Sequence, residues 1–202
     1  MNRNIPILFT TRIIRLFCYG FLSIILAFYL TEIGLHEAQI GLLFTFTLAG
    51  DAGISLWLTT SADRFGRKKT LLIGALLMAG AGLGFLLTHN IILLILAAII
   101  GVISPSGNEI GPFLSVEQAS LSQLVSNEDR TNYFAWYNMV GYFATASGAG
   151  LGGWLAHTLQ SNGWSALASY KAILSGYALG GFILALRFLL LSPAIEVQEK
   201  TS

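Results

Sequence analysis

The sequence predicts an all-α protein that crosses a membrane six times. Hydrophobic residues make up 54% of the 202 residues and charged residues only 10%, and the mean hydropathy is +0.70. Soluble domains carry about 25% charged residues, and one soluble core of this size could not bury so much apolar surface. Long apolar segments are separated by short polar turns, and about 20 apolar residues suffice for one helical crossing.

The composition argues against several other classes of protein. The net charge of +1 gives no basic field for nucleic acid. Cys18 is the single cysteine, so no internal disulfide can form. The first apolar segment is too long for the core of a signal peptide. The three histidines are too scattered to predict a metal site, and we expect no cofactor.

The predicted spans follow one another closely along the chain. Their boundaries are Ile5–Ile33, Ala38 to about Thr60, Thr70–Leu87, Ile91 to near Val125, Tyr133–His157 and Tyr170–Leu191. Residues 1–191 are therefore expected to form one transmembrane domain. Residues 192–202 are polar, and we expect a loose cytoplasmic linker or tail.

The fourth span is the least regular. Its apolar part, Ile91–Ile103, has about 13 residues, too few to cross alone, and Ser104–Glu109 is polar. We expect the helix to continue to near Val125 with kinks at Pro105 and Pro112, because neighbouring helices can satisfy backbone groups that a proline frees. The alternative is a re-entrant segment.

Basic residues lie mostly on one side of this topology. Lys and Arg concentrate in the short cytoplasmic loops of membrane proteins. The two termini and two of the loops carry Arg3, Arg64, Arg67, Lys68, Lys69, Arg130, Arg187 and Lys200. The opposite side carries Lys171. Both termini are therefore predicted to lie in the cytoplasm, at the plasma or inner membrane, which requires an even number of crossings and hence a complete fourth span.

The loop between the second and third spans, residues 62–69, reads ADRFGRKK. It resembles the signature Gly-x-Leu-x-Asp-Arg-x-Gly-Arg-Arg/Lys between helices two and three of the major facilitator superfamily. The core of the signature is present in Asp63, Arg64, Gly66, Arg67 and Lys68, whereas Thr59 and Ser61 depart from it. Gly66 permits a tight turn. The resemblance implies that this loop switches conformation by latching against a second half of the transporter.

The resemblance extends over essentially the whole chain, as the first six of twelve helices. It implies a half-bundle of two three-helix units related by inversion. In the fifth span, Gly148, Gly152 and Gly153 are similar to the glycine motif of drug/proton antiporters, but Ala149 replaces the usual proline. Glycines four residues apart also let helices approach closely, so we interpret these three as packing residues.

Charged residues inside the predicted spans are candidates for function, because they are costly in lipid and mark pathways or relays. Counting along the helices at about 1.5 Å per residue places Arg15 and Asp51 about 14 Å from the cytoplasmic boundary and Glu109 at a similar level. The resemblance implies that helices one and four line the central cavity. We therefore expect Arg15, Asp51 and Glu109 to take part in substrate or proton coupling, with a static ion pair as the alternative.

Milder candidates share helix faces with these charges. Arg15, Tyr19 and Ser23 lie on one face of the first span, and Asn138, Tyr142 and Thr145 lie on one face of the fifth. Both faces can line a cavity, although packing is the alternative. Arg12 and Glu117 are expected to lie near the inner rim of the bundle, where their side chains can extend to water. We expect both to have a structural role.

The function predicted from these features is secondary active transport of a small solute, coupled to protons, by the amino-terminal half of a transporter. Such a half needs a partner half, and we expect it to be inactive alone. A non-transporting membrane scaffold or receptor is the alternative. An intramembrane serine protease of the rhomboid type is disfavoured. Its resemblance would require the motif Gly-x-Ser-Gly, whereas Ser104 and Pro105 precede Ser106-Gly107, and the sixth span has no histidine to act as the base.

Overall fold

The computed structural model describes residues 3–101, 103–105, 107 and 112–196, and their regular structure is entirely helical. Seven α-helices are followed by one 3-10 turn. Their bounds are α1 Asn4–Glu32, α2 Glu37–Phe65, α3 Arg67–Leu87, α4 Ile91–Ile100, α5 Pro112–Leu124, α6 Arg130–Ser161, α7 Ala166–Leu189 and the turn Pro193–Ile195. Within the described part, α1, α2, α3 and α7 are long and apolar enough to cross a membrane. The fifth predicted span corresponds to the 32-residue α6, which is less apolar.

Helix α1 forms the centre of the bundle. It packs against both α6 and α7, and α3 packs along α7. The contact between α1 and α6 depends on small residues. A Cβ atom at Gly148 would lie 2.1 Å from the Phe17 carbonyl oxygen, and one at Gly152 would lie 2.6 Å from that of Phe21. A Cβ atom at Gly153 would meet only Ile24, at 3.9 Å.

The fourth predicted span is two helices rather than one, so the prediction of a continuous, kinked helix is wrong. Helix α4 ends at Ile100, and α5 begins at Pro112. The residues described between them are not helical. Pro105 lacks the backbone N–H that a helix needs, and Gly107 has a φ of +70°, which a right-handed helix does not permit.

The two short helices nevertheless run from one end of the bundle to the other. Helix α4 begins directly after the turn that ends α3. Helix α5 ends beside the start of α3, where Gln123 accepts a hydrogen bond from Arg67 at 3.1 Å. A re-entrant segment would return to the end at which it began, so a broken crossing fits these contacts better.

The expectation of a loose tail is wrong for residues 192–196. Ile195 is completely buried, and Ser192 exchanges two hydrogen bonds with Asn4 at the start of α1. The ends of α5 and α7 and the starts of α1 and α3 therefore meet at one end of the bundle. This is also the end that carries Arg67 and Lys68.

Candidate functional site: a buried ion-pair network beside a cavity

Arg15 on α1 and Glu117 on α5 form a completely buried ion pair. The two guanidinium nitrogens Nη1 and Nη2 donate to the two carboxylate oxygens at 2.9 and 2.6 Å. Neither side chain has any solvent-exposed surface. This paired, bidentate geometry is the strongest that an arginine and a carboxylate can adopt.

Further groups complete the surroundings of this pair. Thr11 Oγ1 donates to Glu117 Oε1 at 3.1 Å, and the Tyr137 hydroxyl donates to Glu117 Oε2. The Arg15 guanidinium lies over the Phe113 ring, 4.5 Å from its centroid. Glu117 therefore has four donor groups within hydrogen-bonding distance, and the single Thr11 hydroxyl proton is shared with the Leu8 carbonyl oxygen at 3.0 Å. The network ties α1, α5 and α6 together.

Arg12 extends the network along α1 and α6. Its guanidinium lies 4.3 Å from the centroid of the Tyr137 ring, and Nη2 donates to Asn138 Oδ1 at 3.1 Å. Arg12 is only 3% exposed and Glu117 is not exposed. The expectation that these two side chains extend to water at the inner rim is therefore wrong. Helix packing holds both inside the bundle.

A cavity of about 240 Å³ adjoins this network. It lies between α1, α5 and α6 and is lined by Arg12, Leu16, Gly107, Leu114, Asn138, Tyr142 and Thr145. The polar face that the sequence predicts on the fifth span therefore does line a cavity. Tyr142 is 71% exposed, so the cavity opens toward the outer face of α6. Amide, hydroxyl and guanidinium groups there can hydrogen-bond a solute.

The structure does not bring Asp51 to Arg15. Asp51 is completely buried on α2, and its two carboxylate oxygens accept no hydrogen bond from any described residue. Tyr19 does not join the cavity either. Its ring stacks on that of Tyr177 on α7, with 6.4 Å between the ring centroids, and it is not among the residues that line the cavity.

Glu109 lies outside the described residues. Sequence reasoning missed the pairing of Glu117 with Arg15, because it placed Glu117 at the inner rim. In the structure Glu117 lies seven residues, about 10 Å, before the end of α5 at Leu124, and Arg15 lies eleven residues, about 16 Å, after the start of α1 at Asn4. The signal available in the sequence was that both charges interrupt predicted spans.

The predicted loop of residues 63–69 is a tight turn in the structure, because α2 ends at Phe65, α3 begins at Arg67 and only Gly66 lies between them. Its side chains have two faces. Arg67 is almost buried, and its Nε donates to Asp63 Oδ1 at 3.1 Å. Gly66 and Lys68 are half-buried, whereas Asp63, Arg64 and Lys69 are exposed. Asp63 has 63% of its side chain in contact with solvent. One face of this segment therefore exposes charged side chains to the surroundings of the bundle.

A bundle of long apolar helices with a polar cavity beside buried charges is typical of membrane transport proteins. A model of the Major Facilitator Superfamily matches residues 8–202, and the chain belongs to that superfamily. It is 37% identical over 198 residues to the uncharacterized membrane protein YJR124C of Saccharomyces cerevisiae, a match that covers 97% of this chain and 44% of that protein. It is 24% identical over 156 residues to the quinolone resistance protein NorA of Staphylococcus aureus, covering 77% of this chain and 39% of NorA. The chain thus spans less than half the length of these relatives.

Proposed function

We propose that the chain supplies one half of a secondary active transporter that moves a small solute through the cavity between α1, α5 and α6. The observation that carries this proposal is the position of the cavity. Its polar lining comes from Arg12, Asn138, Tyr142 and Thr145, beside a buried ion pair. Polar groups so deep in a membrane bundle are expensive unless they serve a pathway.

The open side of the cavity supports the need for a second half. Tyr142 and Phe143 on α6 are 71% and 68% exposed, and the relatives are more than twice as long as the matched segment. In transporters built from repeats, the solute binds between the repeats, and rocking of the two halves gives alternating access. A second six-helix half would close this side of the cavity.

The proposed orientation places both termini in the cytoplasm of a plasma or inner membrane. The end of the bundle where α3 begins carries Arg64, Arg67, Lys68 and Lys69, and Arg130 lies at the end of α5, where it donates to the Ser122 carbonyl oxygen. This clustering agrees with the excess of basic residues found in cytoplasmic loops.

Coupling to protons is the second part of the proposal. A buried carboxylate without hydrogen-bond partners is strongly disfavoured as an anion and can be accommodated with a proton. Asp51 meets this condition among the described residues, and Glu109 remains a candidate from the sequence. The carboxylate of Glu117 is fully compensated, so we assign it to structure instead.

Transport can be tested with a quinolone as the first probe, since quinolone resistance is the property in the name of NorA. The complete transporter in proteoliposomes should accumulate a fluorescent quinolone when a proton gradient is applied. Asn138→Ala should weaken uptake by raising KM, because the amide lines the cavity. Asn132→Ala, on the same helix but outside this cavity, is the matched control.

Proton coupling can be tested with a separate variant. Asp51→Asn should abolish the dependence of uptake on the proton gradient while counterflow of the solute continues. Unchanged gradient dependence would remove Asp51 from the proposal. Binding without any flux, across a panel of cationic, anionic and neutral solutes, would favour a receptor or scaffold over a transporter.

A further inference from the structure

The segment Ser192–Glu196, named the tail latch below, places a carboxylate at the start of α3. Glu196 Oε2 accepts the backbone N–H of Arg67 at 2.6 Å, and Oε1 accepts that of Lys68 at 3.1 Å. The first N–H groups of a helix have no partner within the helix. A negative charge there is also stabilised by the helix dipole. Glu196 therefore caps a helix that begins 129 residues earlier in the chain.

Gly66 forms the turn next to this contact. It adopts a φ of +95°, and a Cβ atom there would lie 3.4 Å from both Glu196 carboxylate oxygens, an ordinary van der Waals distance. A side chain at this position would therefore strain the turn through its backbone conformation and not by displacing the carboxylate. The glycine of the superfamily signature sets the turn that brings the start of α3 to the tail latch.

The side chains of Arg67 and Lys68 bind backbone carbonyl groups at the end of α7 and in the tail latch. Lys68 Nζ donates to the carbonyl oxygens of Leu189 and Leu191, at 2.7 and 2.6 Å, where α7 ends. Arg67 Nη1 donates to the Ile195 carbonyl oxygen at 3.2 Å. A cation at a helix C-terminus satisfies carbonyl groups that the helix leaves unpaired.

Two further anchors attach the tail latch to α5 and α1. Gln123 Nε2 donates to the Glu196 carbonyl oxygen at 2.8 Å. Asn4 Nδ2 donates to Ser192 Oγ at 2.8 Å, and Ser192 N–H donates to Asn4 Oδ1 at 3.0 Å. The five residues therefore join the ends of four helices.

We propose that the tail latch is a conformational switch that couples the position of the chain at Glu196 to the start of α3 and to the loop of residues 63–69. Apart from the buried Ile195, its contacts are polar, and they lie at the end of the bundle. Such segments open locally at lower cost than the core unfolds. Movement of the chain at Glu196 would uncap α3 and free Arg67 and Lys68 together. This inference concerns local opening, so it holds or fails without any substrate being transported.

Hydrogen exchange measured by mass spectrometry on the 202-residue chain in lipid nanodiscs tests the coupling. Glu196→Ala should raise exchange in the first turn of α3 by about 10- to 100-fold, the range expected for losing hydrogen bonds to a charged group. Glu196→Gln should give a smaller rise, because a neutral amide oxygen can still accept one N–H. Lys69→Ala, an exposed neighbour in the same loop, should leave exchange unchanged.

Asn4→Ala distinguishes a coupled latch from a local helix cap. Asn4 bonds Ser192 at the opposite end of the tail latch from Glu196. If the five residues open as a unit, this variant also raises exchange at the start of α3. Exchange that rises only in the tail would overturn the proposal. A uniform rise across all helices would also overturn it, since that result indicates general destabilisation.

Discussion

Replacing Glu117 with glutamine should destabilise the bundle strongly, because it removes the carboxylate that faces the buried Arg15 guanidinium. Glu117→Gln keeps the shape of the side chain but only one acceptor oxygen, so one of the Thr11 and Tyr137 hydroxyls, which donate to different carboxylate oxygens, loses its acceptor. Removing one partner of a buried ion pair costs about 3–5 kcal/mol. For chains of 150–250 residues, each kcal/mol moves the unfolding temperature by about 2–4 °C. The expected loss is therefore about 6–20 °C.

The chain offers a direct assay for this loss. Cys18 is the single cysteine and is 5% exposed, in the contact between α1 and α7. A thiol-reactive fluorogenic dye, added during a temperature ramp of the purified chain in detergent, reports the exposure of Cys18 as the helices separate. Asp63→Asn is the matched control, because it breaks an exposed ion pair worth about 0–1 kcal/mol.

A double variant separates loss of charge balance from loss of packing. Arg15→Met in the Glu117→Gln background removes the remaining charge of the pair, and apolar replacements of buried ion pairs are often neutral. We expect it to recover at least half of the lost stability. A Glu117→Gln shift no larger than that of Asp63→Asn would refute the reasoning that this pair is desolvated.

Two other predictions follow from packing and topology. Gly148→Val should lower the unfolding temperature by at least as much as Glu117→Gln, because the added Cβ atom would meet the α1 backbone at 2.1 Å. Gly150→Val is the control and should have little effect, because nothing lies within 4 Å of a Cβ atom there. Equal effects of the two variants would contradict the packing argument. In a background without the native cysteine, a membrane-impermeant maleimide applied from outside cells should label a cysteine at position 36 and spare one at position 69. Labelling of position 69 from outside would invert the topology.

Hydropathy predicts four of the spans well, because α1, α2, α3 and α7 are each long and apolar enough to cross a membrane. A long helix, α6, is also present at the fifth predicted span, but it is less apolar. The break in the fourth span is harder to predict from the sequence. The sequence shows Pro105 and Pro112, but membrane helices often continue through prolines. The break depends as well on Gly107 adopting a left-handed conformation, and this choice is set by packing against neighbouring helices, which a residue pattern does not contain.

The buried charges, too, could be predicted only in part. The sequence identifies Arg15, Asp51 and Glu109 as candidate charges deep in the predicted spans and places Glu117 at the inner rim. It does not identify their partners, because α4 and α5 are separate helices and the depth of Glu117 cannot be counted along one continuous span. The pairing of Arg15 with Glu117 depends on where α5 packs, and Asp51 has no hydrogen-bond partner among the described residues.

Helix α5 connects the two polar systems of the structure. It carries Glu117, whose carboxylate binds α1 and α6, and Gln123, whose amide binds the tail latch and α3. Since α4 and α5 are not one continuous helix, α5 is not held in place by the helical backbone of α4. Its position is set by these polar contacts, one inside the bundle and one at its end, together with the apolar packing of the buried Phe113, Val116 and Leu121. One helix of 13 residues therefore contacts the tail latch at Gln123 and contributes Leu114 to the lining of the cavity.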